Sequence, residues 1–215
     1  MRTLIALASA LLFAAPLSAQ QHMDMDPDNG HAMPGGGVFP AGWQARVDHG
    51  APANQVVFQA AGSGFHATMG PAAVFYNPAW KESGDYQVSA RFTQNKAPTH
   101  PEAYGIVIGG SDLGGADQQY SYFEVRGTGE YYIANRKGDT VTKIVPWTAN
   151  PAIQKQNADG VAANVLGVQV KGNDVLFTVN GTQVASVPKS QLQTDGTFAL
   201  RINHHLDVNV DQVKR

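Results

Sequence analysis

The chain of 215 residues contains no cysteine, which removes disulfides, thiolate metal sites and cysteine nucleophiles together. Charge is scarce: 15% of residues are charged and the formal net charge is -2. There is therefore no basic footprint for nucleic acid and no acidic or polybasic tail. Long apolar runs are missing as well. The longest, Leu4 to Ala15, falls short of the ~20 residues a membrane-spanning helix needs, so no membrane insertion is expected. Also absent are a serine nucleophile elbow, a phosphate-cradling glycine loop and a zinc-protease histidine motif. Without covalent staples, stability has to come from a packed core, and a mature chain of about 195 residues is long enough to build one.

The opening "MRTLIALASALLFAAPLSAQ" has one basic residue (Arg2), an apolar stretch, Pro16 and the small residues Ser18 and Ala19. This is the pattern of a secretory signal peptide over residues 1–19, and it predicts a secreted or periplasmic protein. No cysteine follows the cleavage site, so no lipid anchor is expected. Residues 20–40 mix His, Met, Gly and Pro without hydrophobic period and read as a flexible leader. His22, Met23, Met25, His31 and Met33, with Asp24, Asp26 and Asp28, are ligand types that suit copper. Their spacing matches no defined site, and the linker reading is preferred. Residues 41–215 read as one domain.

From Trp43 onward, short alternating runs are separated by Gly, Asn, Asp and Pro, which is strand spacing. Successive strand residues face opposite sides of a sheet. In "DYQVSARFTQ", Tyr86, Val88, Ala90 and Phe92 oppose Gln87, Ser89 and Arg91. In "QYSYFEVRG", Phe123 and Val125 oppose Tyr122, Glu124 and Arg126; in "EYYIANRK", Tyr131 and Ile133 oppose Tyr132, Ala134 and Arg136. In "TFALRIN", Phe198, Leu200 and Ile202 oppose Ala199, Arg201 and Asn203. Asn180-Gly181 marks a tight hairpin, and "NPAIQKQNADG" allows at most one short helical turn. Roughly a dozen strands without a long helix predict an all-β, antiparallel two-sheet sandwich.

The segments "NVLGVQVKGNDVLFTVNGTQVASVP" and "DGTFALRINHHLDVNVDQVK" resemble the C-terminal half of a concanavalin A-like lectin/glucanase jelly roll, including its laminin-G-like and 3-keto-glycoside-hydrolase-like relatives. The block from Tyr104 to Asp139 resembles the paired strands of the same fold, so the likeness covers most of residues 85–213. It implies a jelly roll more sharply than a function, because that sandwich hosts lectins, glycosidases, lyases and interaction modules. The Glu-x-Asp-x-x-Glu strand of its laminarinase-like members, which places paired carboxylates on one face, is absent. Glu124 is the nearest carboxylate in a suitable strand, and its same-face neighbour Arg126 is expected to keep it ionised, against a role as general acid.

The mixed strand faces supply the candidate ligand-binding residues: Arg91, Tyr122, Glu124, Arg126, Tyr132, Arg136, Arg201, Asn203 and His205. Aromatic faces and forked guanidinium donors suit a polar ring such as a saccharide; a solvated face of cross-strand charge pairs is the alternative. Asp112 and Asp117 in "GGSDLGGADQQ" make calcium a secondary candidate, although the dense Asp spacing of a dedicated calcium loop is missing, and no metal or cofactor is assigned. Trp43 and Trp80 read as packing residues, and Trp147, beside Pro146 in an expected loop, as the exception that could serve as a sugar platform. His66, alternating with Phe65, reads as structural.

The final stretch "LRINHHLDVNVDQVKR" poses its own choice. Adjacent strand residues cannot ligate one ion from the same face, so His204 and His205 lose appeal as a chelate, and "NHHL" is expected to be a bend. Within the pair, His204 is expected to face inward and support stability, and His205 to align with Arg201 and Asn203. The favoured expectation is an exported, non-catalytic binding domain for carbohydrate. A glycoside hydrolase or lyase, testing Glu124 with His66 or His205, and an envelope interaction protein without small ligand are the alternatives.

Overall fold

The computed structural model describes residues 31–215. Its strands are β1 (Gln44–Val47), β2 (Val56–Ala61), β3 (Gly64–Met69), β4 (Ala73–Glu82), β5 (Tyr86–Gln94), β6 (Ala103–Ser111) and β7 (Gln119–Arg126). They continue as β8 (Glu130–Lys137), β9 (Thr140–Ala149), β10 (Ala162–Lys171), β11 (Asp174–Val179), β12 (Thr182–Pro188), β13 (Gly196–Ile202) and β14 (Asp207–Lys214). All pairings are antiparallel. One seven-stranded sheet runs β1-β4-β13-β6-β7-β8-β9 and the other β12-β11-β10-β5-β14-β3-β2. The two-sheet jelly-roll sandwich expected from the strand spacing is what forms.

Parity decides which face each strand buries. Val88, Ala90 and Phe92 of β5, Phe123 and Val125 of β7, Tyr131 and Ile133 of β8, and Phe198, Leu200 and Ile202 of β13 all lie in the core between the sheets. At one end an aromatic group closes it: Phe58 stacks on Phe75 at 4.3 Å, and Trp43 lies 4.8 Å from Trp80 and 5.0 Å from Phe58. Each such side chain contributes about 1.5–3 kcal/mol on burial, which is how a cysteine-free chain holds together. Trp43 and Trp80 are thus packing residues. At the tip of the β11–β12 hairpin Asn180 and Gly181 adopt φ of 52° and 81°, the left-handed pair that a two-residue turn requires.

Two expectations are corrected here. Residues 33–39, read as part of a flexible leader, are tied to the sandwich. The Met33 amide donates to the Asn54 carbonyl at 2.9 Å and the Gly37 amide to that of Val56 at 3.2 Å, while the Phe39 ring meets Phe75 edge-on at 6.1 Å. The Gly37 bond caps the start of the open edge strand β2, whose backbone groups need partners, and the Met33 bond joins the turn just before it. Trp147 lies not in a loop but in β9, the edge strand of its sheet, where Pro146 is tolerated because an edge leaves one row of amides unpaired.

Candidate functional site

The outward face of the β1–β9 sheet gathers most of the chemistry in the described residues. A single row crosses it at right angles to the strands. Arg46 is opposite Val74, Val74 opposite Arg201, Arg201 opposite Gly105, Gly105 opposite Glu124, and Glu124 opposite Tyr132. Gly105 is the gap in this row. With no side chain between them, the Arg201 Nε comes within 3.3 Å of the Glu124 Oε1 across β6. The remaining Arg201 nitrogens reach Asp48 Oδ2 at 2.8 Å and the Tyr120 hydroxyl at 3.4 Å. Arg136 adds a second donor to Asp48 at 3.4 Å.

This network is enclosed: Glu124 is 3% exposed, Asp48 4% and Arg201 8%. Burial pushes the Glu124 carboxyl up to about 7, against the opposing pull of Arg201 and with help from the negative Asp48. The expectation that Arg126 would keep Glu124 ionised is overturned: Arg126 is held by Glu130, and desolvation of the buried Glu124 carboxyl outweighs the pull of Arg201. Asp48 goes the other way: although burial works against its charge, Arg201 and Arg136 hold its pKa below the ordinary value. Two carboxyls on one face are thus driven apart by their surroundings.

Toward the β9 edge the face is aromatic, buried at Tyr120 and Tyr122 and opening at Tyr132 and Trp147. Tyr120, Tyr122 and Tyr132 follow one another at 5.7 and 5.9 Å, and Tyr132 stacks on Trp147 at 5.0 Å with 26° between the planes. The Arg126 guanidinium lies 4.4 Å from the Trp147 ring centre. Glu130 clamps it there through two hydrogen bonds of 2.9 and 2.8 Å, and those bonds hold the Glu130 carboxyl down to about 2. Trp147 itself remains 38% exposed.

Of the residues singled out in the sequence, Tyr122, Glu124, Arg126, Tyr132, Arg136 and Arg201 share this face. Arg91 does not: β5 belongs to the other sheet, where Arg91 is opposite Val165 and Asp211. Its alternation was read correctly, but period alone does not say which sheet a strand joins. Asn203 sits just past β13 with its amide bonded to the Ala103 carbonyl and its Oδ1 buried without a partner. The "NHHL" stretch is a bend, as expected, between β13 and β14.

Within that bend the assignment of the two histidines is revised. His204 is not an inward core residue; its side chain is 36% exposed and its Nδ1 lies 3.6 Å from the Glu102 carboxylate. The Glu102 carboxylate beside it raises its pKa despite partial burial, and it acts electrostatically on Glu124. His205 takes φ of 55°, and its ring stacks beside that of His204 at 6.1 Å. The bend breaks the strand alternation on which the earlier assignment rested. His66 lies on the outward face of the other sheet, 2.9 Å from Asp207, so it cannot work with Glu124.

Sequence reasoning missed Asp48, Tyr120, Gly105, Glu102 and Glu130. Asp48 follows β1 in "RVDHG", 153 residues from Arg201, and no local pattern signals that pairing. For metals, no group of three or more His, Asp or Glu side chains among the described residues is placed to hold an ion. Asp112, one of the two calcium candidates, has φ of 48° and its carboxylate lies against Gly115. Of the copper candidates, His22, Met23 and Met25 lie outside the described residues.

Comparison with protein-family models and with curated proteins gives no match. Solved structures do match. A carbohydrate-binding module of type CBM66 from Bacillus subtilis aligns with a TM-score of 0.61 at 11% identity, covering 80% of this chain and 93% of that one. A Bacteroides ovatus GH16 protein of a mixed-linkage glucan locus, solved with a product, aligns at 0.54 and 10% identity, covering 80% and 93%. A Bacillus licheniformis β-glucanase aligns at 0.51 and 11% identity, covering 84% and 96%. At these identities the likeness is one of fold, and the fold is the concanavalin A-like jelly roll that the strand pattern resembles.

Proposed function

We propose that this is an exported, non-catalytic domain that binds carbohydrate, with its contact surface at the β9 edge. The observation that carries this reading is the exposed Trp147, stacked on Tyr132 and held under the Arg126 guanidinium. Between Tyr132 and Arg126, Trp147 keeps 38% of its surface exposed, aromatic surface that a sugar ring can contact, and the Arg126 Nη1, which Glu130 leaves free, can donate to its hydroxyls. The shared fold with a carbohydrate-binding module and with β-glucanases is in keeping with it, and the N-terminal pattern supports export.

The test is a glycan array of the mature protein, with and without calcium, followed by titration of the retained glycan against Trp147→Ala and Tyr132→Ala. Binding is expected to fall about tenfold or more in each, the loss of one well-formed contact of about 1.4 kcal/mol, with little change in melting temperature. Unchanged affinity in both variants, or no retained glycan, sinks the proposal.

A glycoside hydrolase or lyase is the second reading, and one observation favours it: Glu124 has the raised pKa of an acid able to deliver a proton near neutral pH. Enclosure beside Arg201 weighs against it. Release of reducing ends from a polysaccharide panel by the parent, abolished by Glu124→Gln, would establish it.

A further inference from the structure

A second feature of the same sheet lies away from the aromatic edge. On one side of β13, Thr197 is opposite Lys81 and Ala199 opposite Tyr76, so Asn77 to Trp80 of β4 bulge out of register. On the other side Thr197 is opposite Gly110 and Ala199 opposite Val107, with Gly109 at φ of 63°. Two bulges therefore flank the same short stretch of β13. Bulges of this kind bend a strand and re-aim its side chains.

Between them is a pocket of about 390 Å³, within the range that takes a small molecule. Pro78 and Leu113 form apolar walls, and Tyr76, Lys81, Ser111, Asp112 and Thr197 bring polar groups to it. The Tyr76 hydroxyl donates to Gln44 at 2.8 Å and keeps its lone pairs for an incoming donor. Lys81, Ser111, Asp112 and Thr197 have no side-chain hydrogen bond or ion pair to any described residue. Asp112 also holds a left-handed backbone conformation (φ 48°) that costs a non-glycine residue energy. An unspent ammonium, carboxylate and two hydroxyls, with the lone pairs of the Tyr76 hydroxyl, give mixed donor and acceptor character beside two apolar walls and match a polyhydroxylated ring.

We propose that this pocket is a second saccharide site, taking a single neutral sugar residue, separate from the Trp147 platform. It rests on the carbohydrate reading above but uses none of the platform's side chains. The carboxylate and ammonium would each take a pair of ring hydroxyls, and the apolar walls would cover the ring's C–H face.

The experiment is amide chemical-shift mapping of the mature protein titrated with the methyl glycosides of glucose, galactose, mannose and xylose, and with fructose. At least one sugar is expected to give saturable shifts at Ser111, Asp112, Gly196 and Thr197. Lys81→Ala and Asp112→Asn, both exposed and the latter tolerant of the same backbone conformation, should each weaken that binding about tenfold, the worth of one charge-assisted hydrogen bond. Trp147→Ala should leave it unchanged. Shifts confined to Trp147 and Tyr132 would overturn the pocket and leave the platform standing. Shifts spread evenly over the surface, no shifts with any sugar, or unaltered binding in both pocket variants would also overturn it.

Discussion

Arg201 and Glu124 meet across a strand that neither belongs to, at 3.3 Å over Gly105. Because Arg201 also serves Asp48, one side chain links the end of β1 to the middle of β7. A buried charge network of this kind is sensitive to the loss of any member, since each partner is left in a place where water cannot replace it.

Substituting Gly105 is expected to be costly. A Cβ there would sit 1.9 Å from the Phe123 carbonyl oxygen and 2.7 Å from the Glu124 Cα, backbone atoms that cannot swing aside. Gly105→Ala should lose about 3 kcal/mol, at the upper end of overpacking penalties, measured as a lower urea midpoint with unchanged slope.

Removing the central cation should cost more. Arg201→Met leaves Asp48 without its shortest ion pair and Glu124 without the guanidinium it faces, and a loss of about 4 kcal/mol is expected. The same substitution in an Asp48→Asn background should cost clearly less. Equal costs in both backgrounds would show that Asp48 and Arg201 are not coupled.

Glu124 predicts a particular pH dependence. Its folded pKa of about 7 lies above the ordinary 4.5, so between those values the folded state binds more protons than the unfolded one. The stability this confers is fully present below about 4.5 and is lost as pH rises through about 7. His204, also raised, adds a loss that begins only near its ordinary value of 6.5 and continues above it. Glu124→Gln should flatten the decline between pH 4.5 and 6.5, followed by urea denaturation, while leaving the His204 part above it. A parent profile that is already flat across that window would contradict the burial of the carboxyl.

The clamp on Arg126 can be separated from the ring it covers. Glu130→Gln keeps the shape but weakens both hydrogen bonds that hold the guanidinium over Trp147. Glycan affinity should fall several-fold, less than for Trp147→Ala, and indole fluorescence should change as the cation leaves the ring. Identical affinity with an altered indole signal would remove Arg126 from the contact surface.

Much of this was legible from local pattern. Alternation alone assigned Phe123, Val125, Tyr131, Ile133, Phe198, Leu200 and Ile202 to the core, and placed Tyr122, Glu124, Arg126, Tyr132, Arg136 and Arg201 on outward faces. That worked because side-chain direction in a strand is set by the backbone within two residues. The Asn180-Gly181 turn was legible for the same reason, since positive φ is a property of the residues that adopt it.

What the sequence by itself determined was therefore each strand's inward and outward set. Only the tertiary structure decided which strands became neighbours: that Arg91 lies in the opposite sheet, that Asp48 arrives beside Arg201 from 153 residues away, and that Glu124 is buried deeply enough to raise its pKa. The same holds for the bend that turned His204 toward Glu102. Strand order and desolvation depend on the whole chain closing around its core, and neither leaves a mark on the spacing of nearby residues.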